Sequence, residues 1–529
     1  TQAKLTDKPS PSLGYKTFQN RKTAELVFAF VEPIGGGAKD AAKILGDILE
    51  SKQYKYIINP IEVRKIIESE AEINGLNEPS QDIFAVNGIT SPTERGQEIN
   101  RLQQWGNELR SEFGYDFLGK QVIRSIAAYR RNNEGFEKAD DLSVPNPKPL
   151  RVAHIIRSLK HEAELDLLRA VYGDMLIVIG VTGPYNKRLS NHSPESKTRN
   201  DALLVEKEFD ILTGIDQHEG IDNGQRVRKV FYQANLFLNN DETSIKTEIR
   251  KFLELLFDIN VHSPKTDERM MYEAYSNSLR STCLSRQVGA AISNANGELI
   301  SVGWNDIPRF GGGLATDLNE RENDALCKTK GFCNTGHKLS ELTGKIYGCL
   351  STKKGNEESV LKKNTSKEKL HSLLLDAGLS GLIEFSRAIH AEMEAILSAA
   401  RNGKQGLRGA TIYVTTYPCE NCVKHILASG ISPIIYIELY VKSRAKDFFS
   451  EFIADEPEKD VPKLILSQFV GIAPLSFSQL YKMNGERKGR DGKLIKQRGL
   501  PMPKTSVFLD SFTIYEMQIA KDVLDHDQE

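Results

Sequence analysis

The sequence predicts an α/β protein with two domains, and three observations lead to this prediction. Its 529 residues exceed the length of one ordinary hydrophobic core. Short apolar segments alternate with helical patterns in the first half of the chain, which is typical of a parallel sheet. A Ser263-Pro264 pair interrupts the pattern and marks a boundary near residue 262. We therefore expect one domain over residues 1–262 and a second over residues 263–529.

The composition argues against several classes of protein. The 70 Lys and Arg residues nearly balance 71 Asp and Glu residues, so no overall charge draws the chain towards nucleic acid or a membrane surface. The apolar segments are shorter than the roughly 20 residues of a membrane-spanning helix, and the polar start lacks the pattern of a secretory signal. Six cysteines are too few for a disulfide framework. We expect a cytoplasmic protein with a small soluble substrate and no membrane partner.

The first domain opens with a strand, a glycine-rich turn and a helix. Apolar runs predict strands, and longer amphipathic runs predict helices between them. Its predicted elements are the strand 25–31, the glycine turn 35–37, the helix 41–50, the strand 151–157, the helix 162–172, the strand 175–181, a loop or lid over 184–199 and the helix 243–257.

The glycine turn is similar to a phosphate-binding loop but departs from the usual pattern. That pattern places Gly, Lys and Ser or Thr together, so that backbone N–H groups and Lys hold phosphate and the hydroxyl binds Mg²⁺. Here Ala38 separates the last glycine from the lysine, and Asp40 replaces the hydroxyl. We expect nucleotide binding, nucleotide sensing, assembly or RNA contact in place of kinase activity. The candidate nucleotide-binding residues are Gly35, Gly36, Gly37 and Lys39.

The second domain is predicted to combine a hairpin with a strand and two helices. An Asn-Gly turn within residues 289–303 is a strong hairpin signal. A long insertion over about 309–380 follows, and its charged portion 353–369 is predicted to be a solvated excursion. The other predicted elements are the helix 266–284, the helix 388–397, the strand 411–415 and the helix 420–428.

A histidine and two cysteines in this domain are candidate zinc ligands. His390, Cys419 and Cys422 offer one imidazole and two thiolates, which leaves a fourth position on Zn²⁺ open for water. Glu392 is the candidate proton carrier, because H-x-E with P-C-x-x-C is the signature of zinc deaminases. The alternative is a structural zinc knuckle or buried thiols. The pattern predicts attack of hydroxide on C4 of a cytosine ring, with Glu392 moving protons to N3 and then to the departing amine.

Several segments resemble the deoxycytidylate branch of the cytidine and deoxycytidylate deaminase superfamily. Together with the glycine turn, segments 436–443 and 469–474 also resemble the two-domain bacterial anti-phage deoxycytidine nucleotide deaminases. The resemblance implies a P-loop, nucleoside monophosphate kinase-like domain followed by a cytidine-deaminase-like α/β/α sandwich. The segments that resemble the superfamily are 285–290, 303–305, 390–392, 418–422 and 429–436.

The same resemblance implies a function and its partners. Such enzymes deaminate dCTP and dCMP, which would starve phage DNA synthesis, and a small RNA would inhibit them until infection. A homo-oligomer and a nucleotide effector at the first domain are further implied partners. The rival interpretations are a nucleic-acid cytosine or adenine deaminase and a nucleotide-sensing or RNA-binding regulator with a vestigial zinc site.

The resemblance also implies residues that bind substrate. Asn305 would hydrogen-bond the sugar, and Val288 and Ala391 would shape the base pocket. Tyr417 would stack on the base or serve only in packing. The candidate phosphate-binding residues are Arg286, Lys442 and Ser443.

The insertion carries four more potential metal ligands at irregular spacings. They are candidates for a second, structural zinc, which some deoxycytidylate deaminases carry, or they are free thiols and a histidine in a reducing compartment. These four residues are Cys327, Cys333, His337 and Cys349.

Overall fold

The computed structural model shows two compact units. The first contains the described residues up to Pro264 together with those from Val470 onward, and the second runs from Lys265 to Phe469. No helix in the described residues is both long and apolar enough to cross a membrane. The structure describes residues 20–76, 83–136, 147–192, 199–217, 221–351, 361, 365–381, 385–403, 406–438, 443–457, 461–495 and 499–526.

The first unit alternates strands with helices, as the sequence predicts. The segment 184–199, predicted as a loop or lid, contains a helix over Tyr185–His192, and its residues 193–198 lie outside the described residues. The elements are β1 (Leu26–Val31), α1 (Ala38–Glu50), β2 (Ile57–Glu62), α2 (Val63–Ile73), α3 (Ile83–Val86), α4 (Glu94–Phe113), α5 (Phe117–Asn132), β3 (Val152–Arg157), α6 (Glu162–Tyr172), β4 (Leu176–Thr182), α7 (Tyr185–His192), α8 (Arg199–Gln217), α9 (Val227–Tyr232), β5 (Leu236–Asn239) and α10 (Glu242–Leu256).

The first sheet is parallel along most of its width. Strands β2, β3, β1, β4 and β5 are neighbours in that order and all run parallel, with Phe28 opposite both Ile155 and Ile177. The strand β1 is buried along its whole length, because helices cover the sheet. The turn that follows β1 therefore opens at the carboxyl edge of the sheet, where α/β folds bind ligands.

The second unit contains the predicted hairpin and the two helices that carry the candidate zinc ligands. The helix predicted over 266–284 ends at Ser278, and within the charged portion 353–369 of the insertion residues 367–369 begin a helix, while most of the rest lies outside the described residues. The elements are α11 (Thr266–Ser278), β6 (Gly289–Ser293), β7 (Leu299–Trp304), α12 (Glu320–Asn323), α13 (Cys327–Lys330), α14 (Asn334–Ser351), α15 (Lys367–Asp376), α16 (Ala391–Arg401), β8 (Thr411–Thr416), α17 (Glu420–Ser429), β9 (Ile434–Glu438), α18 (Ala445–Phe448), β10 (Ile453–Ala454) and β11 (Leu464–Gln468).

The second sheet is mixed, and its described strands lie in the order β10, β11, β9, β8, β6 and β7. The hairpin pairs β6 with β7 antiparallel, which confirms the prediction from the Asn-Gly turn. Strand β6 also pairs antiparallel with β8, whereas β8, β9, β11 and β10 run parallel. Helices α16 and α17 start beside the carboxyl ends of the central strands.

The end of the chain returns to the first unit, which corrects the predicted domain over 263–529. Strand β12 (Gly471–Ile472) pairs antiparallel with β5 and extends the first sheet, and helix α19 (Pro474–Tyr481) follows it. The last helix, α20 (Thr513–His526), packs on α5. The prediction was wrong here because these contacts join segments several hundred residues apart, and local sequence pattern does not record such pairings.

A buried charge network joins that last helix to the first strand segment. Arg130 donates from Nη2 to Glu25 Oε2 at 2.7 Å and from Nε to Glu516 Oε1 at 2.8 Å, and all three side chains are at most 1% exposed. Tyr172 donates its hydroxyl to Glu516 at 3.2 Å. Burial alone would raise the pKa of Glu25, but the charge and hydrogen bonds of Arg130 outweigh burial and lower the pKa to about 2. Both carboxylates therefore depend on one guanidinium.

Replacing Arg130 by Met should lower the free energy of unfolding by about 3–5 kcal/mol, because two buried carboxylates would lose their counter-charge. The matched control is Arg131→Met, one residue further on α5 and exposed, which should change stability by less than about 0.5 kcal/mol. Urea denaturation followed by circular dichroism measures both. Equal stability of the two variants would contradict the role given to Arg130.

Candidate active site

Two helices of the second unit begin close to each other and bring the predicted zinc ligands together. His390 is the residue that precedes α16, and Cys419 is the residue that precedes α17. Cys422 lies in the first turn of α17 and is fully buried. The aligned backbone N–H groups at both helix starts give a local positive potential, which stabilises thiolates.

The three donor atoms have the spacing of a tetrahedral metal site. His390 Nδ1 lies 3.4 Å from Sγ of Cys419 and 3.4 Å from Sγ of Cys422. Zn–N bonds of about 2.0 Å and Zn–S bonds of about 2.3 Å at tetrahedral angles give an N···S separation of about 3.5 Å. These donors are the group of His, Cys, Asp and Glu residues in the described chain whose ligand atoms all lie within 4.8 Å of one another. Their number and chemistry fit Zn²⁺ with one position left open.

The electrostatics of the donor set favour a bound cation. Hydrogen bonds from Cys422 and from His390 outweigh burial and lower the pKa of the Cys419 thiol to about 4. The hydrogen bond with Cys419 in turn raises the pKa of His390 to about 9, and the pKa of Cys422 is raised by its hydrogen bond to Cys419 and by burial. The Cys419 thiolate is thus hydrogen-bonded to protons of Cys422 and His390, and a bound metal ion would displace both protons.

Glu392 lies beside the donor set in the same cavity. Its side chain is 3% exposed, and burial raises the pKa of its carboxyl while the charge of His390 opposes this shift. Its carboxylate does not join the group of donors around His390. A buried carboxyl with a raised pKa is suited to accept and return a proton near neutral pH.

A glycine lets α16 approach the sheet closely enough to place this carboxyl. A Cβ at Gly303, on β7, would lie 2.2 Å from the carbonyl oxygen of Ala391 and 2.4 Å from the backbone nitrogen of Ala395. Ser301 donates its hydroxyl to the carbonyl of Ala395 at 2.8 Å and holds the same turn. Any larger residue at position 303 would move the first turn of α16, which carries Glu392.

Asn305 fastens the segment that forms another wall. Its Oδ1 accepts the backbone N–H of Val288 at 2.7 Å, and its Nδ2 donates to the carbonyl of Arg286 at 2.8 Å. Both polar ends of this side chain therefore contact backbone, although Asn305 also borders the cavity. The predicted hydrogen bond to a sugar is untested, and the structure adds a positioning role for Asn305.

The cavity at this site has a volume of about 220 Å³. Of the predicted substrate-binding residues, the structure brings Arg286, Val288, Asn305, Ala391 and Tyr417 to its walls. Tyr417 also packs edge-on against another ring, with 4.9 Å between centroids. Ser443 does not line the cavity and donates its hydroxyl to the carbonyl of Pro418 at 2.9 Å, whereas Lys442 lies outside the described residues.

One arginine of the cavity, Arg387, was not among the predicted site residues. Arg387 lines it and donates to the carbonyl of Ala325 at 3.3 Å, and in the described chain no carboxylate lies within 4 Å of its guanidinium. Arg286, by contrast, forms an ion pair with Glu438. Arg387 lies three residues before His390, in the non-helical segment that leads into α16. The insertion also reaches the cavity, through Asn334 and Thr335 at the start of α14.

The structure does not bring the four predicted ligands of a second zinc together. Cys327 and Cys333 line the cavity, but Cys349 is exposed. His337 and Cys349 lie on one helix, α14, and twelve residues of α-helix separate them by about 18 Å. One metal ion cannot contact both residues, so the prediction of this four-residue site was wrong.

Comparison with known proteins agrees with the position of the site. The sequence pattern of the "cytidine and deoxycytidylate deaminase zinc-binding region" matches residues 264–438, within the second unit apart from its first residue. The deoxycytidylate deaminase of Enterobacteria phage T4 is 37% identical over 173 residues, which are 32% of this chain and 77% of that protein. This chain belongs to the cytidine and deoxycytidylate deaminase family. The phage T2 deoxycytidylate deaminase is also 37% identical, over 32% of this chain and 79% of its own.

A solved structure is also similar to part of this family member. The dCMP deaminase of cyanophage S-TIM5 is 15% identical, with 39% of this chain and 100% of that chain covered and a TM-score of 0.21. The matched residues of the family include His390, Glu392, Cys419 and Cys422. The donor set found in the geometry thus lies within the part of the chain that matches the zinc-binding region of a deaminase family, and it is compatible with a zinc site.

Replacing Cys422 by Ser should remove bound zinc, because the buried thiolate is one of three protein donors. The purified chain should hold about one zinc ion, and the variant at least tenfold less, by inductively coupled plasma mass spectrometry. Cys349→Ser is the control, since that thiol is exposed and distant from the other donors along α14. Loss of zinc in Cys349→Ser would restore a second metal site and contradict the account above.

Proposed function

We propose that the chain catalyses zinc-dependent hydrolytic deamination of free deoxycytidine nucleotides to deoxyuridine nucleotides and ammonia. The observation that carries this proposal is the buried Glu392 carboxyl, which lines one cavity with His390 and Cys419, beside an imidazole and two thiols at tetrahedral spacing. A purely structural zinc site has four protein ligands and needs no proton carrier. Here the donor set is open, and the proton carrier is present.

The chain's own residues divide the chemistry of this reaction. His390, Cys419 and Cys422 would hold a Zn²⁺ ion, which would supply the Lewis acidity that lowers the pKa of a water molecule. Glu392 accepts the proton released as the water oxygen attacks C4 of the cytosine ring, and returns it to N3. Glu392 then carries the remaining proton of the water to the amino group. The amino group leaves as ammonia, and the ring becomes uracil.

The size and walls of the cavity support a free nucleotide as the substrate. A volume of about 220 Å³ suits a single pyrimidine ring with its sugar, and the insertion contributes part of the wall. The net charge of −1 offers no general attraction to a nucleic acid backbone. The phage T4 and T2 relatives are deoxycytidylate deaminases by name, which favours dCMP. dCTP stays a second candidate through the resemblance to anti-phage enzymes.

The substrate phosphate is proposed to bind Arg387. Arg387 borders the cavity without a carboxylate partner in the described chain, so its charge is available to an anion. Arg286 is already neutralised by Glu438 and would need to exchange that partner. A guanidinium with no carboxylate partner among the described residues provides the paired, directional donors that phosphate recognition requires.

The wider role proposed for the reaction is anti-phage defence by depletion of deoxycytidine nucleotides. It is supported by the resemblance of the two-domain arrangement, as are a homo-oligomer, an inhibitory small RNA and a P-loop kinase-like first unit. Expression of the chain during phage infection should lower the cellular dCTP pool and phage yield. An unchanged dCTP pool with active enzyme would contradict this role.

Replacing Glu392 by Gln should lower kcat by at least 10²–10⁴-fold while zinc is retained, because the amide cannot carry protons. Uracil nucleotides are measured by chromatography after incubation with dCMP and with dCTP. Glu394→Gln is the matched control, since this carboxylate is two residues further on the same helix, buried, and paired with Arg401 outside the cavity.

The control should keep most of the activity. Full activity of Glu392→Gln, or activity of the unmodified chain on oligonucleotides alone, would contradict the proposed reaction.

Replacing Arg387 by Ala should lower kcat/KM for dCMP by about tenfold to a hundredfold, through the loss of a charged hydrogen bond. Activity on deoxycytidine, which has no phosphate, should change little. Arg309→Ala, a partly exposed arginine outside the cavity, is the control and should affect neither substrate. An equal loss on dCMP and deoxycytidine would show that Arg387 acts on the shape of the site and does not bind phosphate.

A further inference from the structure

In the first unit, the chain itself occupies the place where the glycine turn would hold phosphate. The Oε2 atom of Glu32 accepts the backbone N–H of Ala38 at 2.7 Å, at the start of α1. A helix start of this kind otherwise attracts an external anion. A phosphate at the turn would meet the Glu32 carboxylate and be repelled by it.

The glycines of the turn serve close packing against the same unit. A Cβ at Gly37, where φ is +94°, would lie 2.7 Å from the side chain of Asn240. A Cβ at Gly35 would lie 2.3 Å from the carbonyl oxygen of Arg188. Lys39, the predicted phosphate ligand, is exposed and does not line the neighbouring cavity. The turn therefore lacks the open helix start and the lysine of an ordinary nucleoside triphosphate site.

A second, larger cavity lies beside this turn, with a volume of about 700 Å³. Val63, Ile67, Ile99 and Leu102 give it an apolar wall, from α2 and α4. Its volume is about three times that of the cavity at the zinc ligands, and it falls within the range of small-molecule sites. It can therefore hold a flat ring system larger than a pyrimidine.

Buried acceptor atoms of Gln103 and Asp216 face this cavity without a hydrogen-bond donor among the described residues. Gln103 is 6% exposed, and its Nε2 donates to the carbonyl of Leu212 at 3.2 Å, which fixes the amide and leaves Oε1 without a partner in the described chain. Asp216 is 1% exposed; its Oδ1 accepts from Lys160 at 2.8 Å, while its Oδ2 has no hydrogen-bond partner in the part of the chain that the structure describes. Buried polar atoms are almost always paired, so both acceptors call for donors from a ligand.

The border of the cavity carries charges of both signs, with Glu94 and Glu98 beside Arg64 and Arg95. Arg95 lies on α4 at the border of the cavity and is exposed, and in the described part of the chain no carboxylate lies within 4 Å of its guanidinium. Arg64, also at the border, is paired with Glu68 and Glu98. An anionic group of a ligand is thus favoured at the mouth, next to Arg95, and disfavoured at the inner end, next to Glu32 and Asp216.

We propose that this cavity binds a purine nucleotide whose base carries an amino group. The amino group and ring face Gln103 and Asp216 at the inner end, the ring packs on the apolar wall, and the phosphate lies at the mouth with Arg95. This orientation places the phosphate away from the glycine turn. The binding is separate from deamination at the zinc ligands, so either proposal can fail without the other.

Isothermal titration calorimetry of the full chain with AMP, GMP and IMP tests the proposal. IMP lacks an amino group on its base, so AMP or GMP should bind at least about tenfold more tightly than IMP. Gln103→Met should weaken binding of the tighter nucleotide by about fivefold to tenfold. Arg95→Ala should weaken binding of the nucleotide by about tenfold but leave binding of the corresponding nucleoside unchanged.

Lys39→Ala is the matched control, because an ordinary phosphate-binding loop would lose affinity with its lysine, whereas the proposed orientation would not. Near-ultraviolet circular dichroism checks that Gln103→Met is folded. If Gln103→Met does not fold, Arg95→Ala still tests the proposal, because this substitution is at an exposed residue. Absence of AMP and GMP binding, binding of IMP as tight as theirs, or a loss of affinity in Lys39→Ala would each overturn the proposal. Absence of binding would assign the buried acceptors to water.

Discussion

The second unit depends on the meeting of two helix starts within a few ångströms. His390 and Cys419 each stand at the residue before a helix, and the imidazole nitrogen is 3.4 Å from both thiol sulfurs. This spacing requires α16 to lie almost in backbone contact with β7, which the absence of a side chain at Gly303 permits. The position of Glu392, in the first turn of α16, follows from that approach.

The site was predictable from sequence to the extent that its parts are local. The ligands and Glu392 fall in two short motifs, each at the start of a helix, so spacing alone identified them. The prediction of a second zinc site was wrong because spacing in sequence did not show that His337 and Cys349 share one helix. Arg387 and the insertion residues were missed because a wall of a cavity is assembled from segments that carry no common pattern.

The first unit shows the same division between local and distant information. The strand, turn and helix around Gly35–Gly37 were predicted correctly, and comparison with phosphate-binding loops showed which groups are absent. It did not show that Glu32 fills their place, because a glutamate before a proline has many local roles. The return of β12 and α20 was missed because sheet pairing and the Arg130 network join residues hundreds of positions apart.

That return has a consequence for the order in which the chain is made. The second unit is complete once Phe469 has been synthesised, whereas the first still lacks the strand and helices that begin at Val470. Translation from Val470 to Glu516 takes roughly 2–9 s at ~5–20 residues per second. During that time Arg130 and Glu25 lack their contact with Glu516, and one side of α5 stays uncovered. Of the two units, the one that begins earlier in the chain is therefore the later to complete its fold.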